Sequence, residues 1–73
     1  MSRTNPAASK TLSEREHEYL RRLAAGQSGK QAYSEMLVGK KTAEEYSFEI
    51  RRKLGARTTE HAVAIALRTG VIK

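Results

Sequence analysis

Seventy-three residues, with fourteen Lys or Arg against eight Glu and no Asp, give one small domain with a formal charge of +6, a balance that favours a polyanionic partner and most commonly nucleic acid. The absence of cysteine excludes disulfides and thiolate metal sites, and His17 and His61 lie far apart with no carboxylate motif around them, so no metal or other cofactor is expected. No apolar run approaches the ~20 residues that span a bilayer, and the first residues lack the apolar core of a secretory signal, so a soluble, cytoplasmic protein that does not engage a membrane is expected.

Residues 1–11, MSRTNPAASKT, hold the only proline and mostly small polar side chains, the composition of a flexible tail. The domain is expected over 12–73. Its first helix starts at Ser13, with Glu16 three residues on as a capping box; Tyr19, Leu20, Leu23 and Ala24 form one apolar face, and Gly26 ends it. Ser28 opens a short second helix, again with Gln31 three residues later. Ala32, Met36 and Leu37 are its inward candidates and Gly39 its stop.

A third helix is predicted from about Lys41 to Leu54, with Ala43, Tyr46, Ile50 and Leu54 on one face and Gly55 closing it. Thr58 caps a fourth through about Thr69, with Ala62, Val63, Ala66 and Leu67 as its stripe and Gly70 as its stop. No sustained period-two alternation occurs, so no strand is expected. The fold class is all-α, a four-helix domain with a short helix, a turn and a longer helix at its centre, the layout of a helix-turn-helix.

The residues around that centre carry a resemblance. LSEREHEYLRRLAAGQS from Leu12 to Ser28, KT at Lys41–Thr42, RKLGAR from Arg52 to Arg57 and HAVAIALRTGVI from His61 to Ile72 together resemble the LuxR/GerE family of bacterial DNA-binding domains. The resemblance implies a transcription regulator that binds double-stranded DNA. In it the third helix enters the major groove, the second helix and flanking basic residues hold phosphates, and the fourth helix forms a symmetric homodimer. Matching backbone-contact positions are Ser28, Lys30, Lys41, Thr42 and Arg52; Lys40 and Arg57 join them on charge, and Tyr46 through a hydroxyl within reach of a phosphate. The dimer surface is expected around Glu60, Ala64, Ile65 and Arg68. The family is usually the output half of a larger regulator. Taken as a whole protein, this chain has no sensor or receiver domain and is expected to be controlled by abundance or partners, beside the nucleoid.

The base-reading positions of the family fall here on Glu44, Glu45 and Phe48. Two adjacent carboxylates are repelled by nearby phosphates, although Glu can accept from cytosine N4 and an aromatic ring can press on a thymine methyl. An acidic helix start also suits the helix dipole, whereas Phe48 lies roughly 140° around the helix from Ala43 and is off the core stripe. Two readings follow. In one the third helix reads an unusual DNA site. In the other the helix-turn-helix has become a protein-binding module that docks on RNA polymerase or on another LuxR-type regulator through Glu44, Glu45 and Phe48. Packing departs from the family as well: Tyr33 is expected to fill volume left by the small Ala43. With no Asp, no Cys and no glycine-rich phosphate loop, neither catalysis nor a small-molecule ligand is expected.

Overall fold

The computed structural model describes residues 11–73; the tail expected over 1–11 lies outside the described residues except for Thr11. Four helices follow in order, α1 Glu14–Ala24, α2 Gly29–Glu35, α3 Lys40–Leu54 and α4 Thr59–Thr69, with no strand among the described residues. The all-α, four-helix architecture read from periodicity is the observed one. α1 and α3 each contact all three other helices, while α2 and α4 flank them.

The helix starts follow their capping residues. At Ser13 the capping box is complete: its Oγ accepts from the Glu16 N–H at 3.1 Å, and Glu16 Oε1 accepts from the Ser13 N–H at 2.9 Å. Ser28 makes only the forward half, accepting from the Gln31 N–H at 3.0 Å. Thr58 accepts from the His61 N–H at 3.0 Å. α3 differs. Its N-cap is Gly39, which has no side chain to offer, so the first amides of the longest helix have no side-chain cap. Gly55 ends that helix at φ +68, in the left-handed region where a Cβ is strained.

The core gathers Tyr19 and Leu20 of α1, Ala32 of α2 with Met36 at its end, Ala43 and Ile50 of α3, and Ala62 and Ala66 of α4. Ile72, absent from the sequence-derived core, is fully buried with them. It returns there because the Ile72 N–H donates to the Ala66 carbonyl at 3.3 Å, and His17 Nε2 donates to the Val71 carbonyl at 2.8 Å. Small alanines at 32, 43, 62 and 66 allow the close approach that short helices need to share one core.

Two inward assignments are corrected. Leu37 is 91% exposed and sits at φ +63 in the turn after α2. It occupies the left-handed position that lets the Val38 N–H reach the Tyr33 carbonyl at 3.1 Å. Leu67 is half exposed because α4 packs mainly on α3 and α1, which leaves a buried arc narrower than the stripe.

Ion pairs tie the helices together. Lys53 of α3 meets Glu16 of α1 at 2.7 Å with both side chains nearly buried. Arg22 bridges Glu18 of its own helix and Glu35 of α2, and Gln27 Nε2 donates to the same Glu35 carboxylate. Arg15 donates to the Met36 carbonyl at the end of α2. Gly29 is held close to Tyr19: a Cβ there would stand 3.1 Å from the tyrosine hydroxyl.

Candidate nucleic-acid interface

α3 presents two sides that matter. Toward α2, Lys30, Tyr33, Lys40, Ala43, Glu44 and Arg51 line an open groove of about 440 Å³, which brings the cations Lys30 and Lys40 to one rim. Outward, Lys41, Glu44, Glu45, Phe48 and Glu49 surround a shallow hollow of about 480 Å³. Phe48 is 56% exposed there, as its position off the core stripe predicts. Glu44 borders both surfaces.

The charges on this face differ in their commitments. Arg52 is held by Glu49 through Nε at 3.1 Å and a terminal nitrogen at 2.7 Å, and this hydrogen bond keeps the Glu49 carboxyl below its usual range and the guanidinium above its own. Lys30, Lys40, Lys41, Glu44 and Glu45 have no ion-pair partner among the described residues. Lys40 and Lys41 also occupy the first turn of α3, at the positive end of the helix dipole, where a cation is disfavoured. The first turn contains no acid, and the dipole effect fades beyond it, so the dipole does not account for Glu44 and Glu45.

The other candidate positions are spread around these. Ser28 is exposed at the start of α2, Thr42 is half-buried on a flank of α3, and Arg57 is exposed in the loop to α4, its N–H donating to His61 Nδ1 at 3.3 Å. Tyr46 is half-buried, with its ring tilted against Tyr19 at 5.9 Å between centroids. Arg51, Arg52 and Lys53 all fall in the last turn of α3, where cations suit the helix dipole, but Lys53 is withdrawn into its pair with Glu16. Arg51 reaches toward the Thr59 hydroxyl at 3.5 Å. On α4, Glu60, Ala64 and Arg68 are exposed, Ile65 is half-buried, and Leu67 lies on the exposed side.

The family profile of bacterial regulatory proteins of the LuxR type (GerE) matches residues 10–66, which include α1, α2, α3 and most of α4. The chain belongs to the LuxR family. Among curated proteins none matches it. The family is one of DNA-binding helix-turn-helix regulators rather than of enzymes. In this LuxR-family domain α2 and α3 are the helix-turn-helix, and the exposed, uncommitted lysines sit on that unit. Among the described residues no helix is long and apolar enough to cross a membrane, and no group of three or more potential metal ligands occurs.

Proposed function

We propose that the protein is a transcription regulator whose α3 enters the major groove of double-stranded DNA as part of a homodimer. The observation that carries this reading is the pair Lys40 and Lys41: unpartnered cations at the positive, uncapped end of α3, where they do not help the helix itself. Phosphate would repay that placement. Lys30 in the same groove, Ser28 at the start of α2, Thr42 on the flank of α3, the hydroxyl of the half-buried Tyr46, Arg52, and Arg57 beyond the end of α3 supply the remaining backbone contacts. Glu44, Glu45 and Phe48 face the bases.

The dimer surface is the exposed side of α4. Glu60, Ala64 and Arg68 are spaced four residues apart on it, acid, small and base in order. An antiparallel copy centred on Ala64 sets Glu60 against the partner copy's arginine and brings the small side chains together, the self-complementary pattern of a two-fold interface. Ile65, half-buried, borders this surface rather than crowning it. Action in the cytoplasm beside the nucleoid follows from the same reading.

A second reading is favoured by one observation: Phe48 is 56% exposed and bordered by Glu44, Glu45 and Glu49, an aromatic ringed by charge that suits a protein interface. In it the same face docks on RNA polymerase or on another LuxR-type regulator. Equilibrium binding to random-sequence duplex by fluorescence anisotropy across a salt series separates the two. Five phosphate-facing cations (Lys30, Lys40, Lys41, Arg52 and Arg57) give log–log salt slopes of about −4 to −5 per copy, at roughly −0.9 per contact. No binding at low salt would reject the DNA reading and leave the docking one.

A further inference from the structure

We infer that the DNA site of this protein contains a cytosine and a thymine within one or two base steps, read by Glu45 and Phe48 respectively. The inference rests on the DNA-binding reading above and deepens it.

At about 100° per residue, the direction opposite the buried Ala43 and Ile50 passes through Lys41 and Arg52, and Glu45 and Phe48 stand about 30° to either side of it. Glu44 and Glu49 lie about 70° away, on the shoulders of the helix. Of the shoulder acids, Glu49 is bound to Arg52, and Glu44, though unpaired, is turned off the outermost ridge beside the groove lined by Lys30 and Lys40. Glu45 is exposed and has no ion-pair partner among the described residues. The outermost ridge thus has a cation at each end, about 16 Å apart at 1.5 Å per residue, with one free carboxylate and one bare aromatic ring between them. The end cations suit the phosphate walls of a groove, and the central pair suits its floor.

A carboxylate only accepts hydrogen bonds. In the major groove guanine offers two acceptors and thymine an acceptor and a methyl, so neither can satisfy it. Adenine offers one amino donor, with the N7 acceptor beside it repelling the second carboxylate oxygen. Cytosine offers its N4 amino group with no acceptor of its own in that groove. A phenyl ring makes no hydrogen bond there, and the apolar group within its reach is the thymine C5 methyl. Glu45 and Phe48 are three residues apart, about 4.5 Å along the axis, against 3.4 Å per base step, which places their targets on adjacent or next-adjacent pairs. The same carboxylate disfavours unselected sequence, because wherever no amino group meets it, it is left desolvated near phosphates.

Selection of the full chain against a random duplex library tests the inference, followed by anisotropy on the selected duplex with thymine replaced by uracil. C and T are expected at neighbouring positions, and loss of the one methyl is expected to weaken binding about three- to fourfold. Phe48→Ala should bind the thymine and uracil duplexes equally. Glu45→Gln should move the preference from C to A, because an amide offers both a donor and an acceptor to adenine; Glu45 is exposed, so folding is not at stake. Salt-dependent binding without C and T enrichment, or a Glu45→Gln variant with unchanged preference, overturns the inference and leaves the DNA-binding reading standing. Failure to bind any duplex at low salt overturns both.

Discussion

Replacing Lys53 by Met should be among the most damaging single changes at a charged position. Its ammonium meets Glu16 at 2.7 Å, with side-chain exposures of 13% and 10%. Removing one member of a fully buried pair costs about 3–5 kcal/mol. Glu16 retains one compensation, the Ser13 N–H at 2.9 Å, and both groups keep some solvent, so about 2–3 kcal/mol is the expected loss. A domain this small holds on the order of 3–9 kcal/mol in all, so the midpoint of a thermal melt should fall by roughly 10–20 °C. Glu16→Gln keeps the capping box, because glutamine can still accept the Ser13 N–H. It leaves a lysine that can extend toward solvent, so it should cost less, about 1 kcal/mol. The double variant Glu16→Gln/Lys53→Met has no orphaned charge and should recover most of the Lys53→Met loss. Melts followed by circular dichroism on the three variants close the cycle. A Lys53→Met protein within about 0.5 kcal/mol of the parent, or strict additivity of the two changes, would refute the reasoning.

Lys40→Glu should act in opposite directions on fold and function, raising stability by about 0.3–1 kcal/mol at the helix start while weakening duplex binding and flattening its salt slope; a melt and an anisotropy titration together check it, and a destabilised variant would contradict the dipole argument. Leu37→Gly should stabilise the domain by roughly 1 kcal/mol, since the side chain is exposed and its backbone is left-handed, and a lower melting point would show that Leu37 makes contacts in solution. Gly29→Ala should be less favourable in the parent than in a Tyr19→Phe background, where the hydroxyl 3.1 Å from the new Cβ is gone; equal effects in the two backgrounds would mean the helix start shifts freely. Glu49 should titrate below the usual carboxylate range because of its hydrogen bond to Arg52, so the small stability it contributes is present above the ordinary carboxylate pKa and is lost as pH falls through the lowered value. In Arg52→Ala its carboxyl resonance should move back up in an NMR titration.

What the sequence made legible is what local rules govern. Ser13, Ser28 and Thr58 stand where hydroxyls cap helix amides, Gly55 where a left-handed residue ends a helix, and alternating three- and four-residue spacings locate Leu20, Ala43, Ile50 and Ala66 in the core. Periodicity says which face is apolar, not how wide a neighbour covers it, and so it assigns Leu67 inward although the side chain is half exposed. It also treats a residue past the last helix as free, and so missed Ile72, whose burial depends on a loop folding back. The capping box legible at Ser13 accounts for one bond of the Glu16 carboxylate. Its second bond runs to a residue 37 positions away, which no local pattern encodes. On the candidate interface the exposure of Phe48 was legible, whereas the pairing of Arg52 with Glu49 and the withdrawal of Lys53 divide a run of three similar cations by geometry alone.

The seating of Ile72 also bears on how the domain opens. His17 and Val71 are 54 residues apart in sequence, yet their bond and the buried isoleucine beside it join α1 to the residues after α4. Ordinarily the last residues of a domain fray independently of the rest. Here a fluctuation that lifts Ile72 also uncovers the core that α1 covers, so both ends belong to one cooperative unit. In amide hydrogen exchange the Ile72 N–H should be protected to nearly the same free energy as the central amides of α1, and both should weaken together in Ile72→Ala.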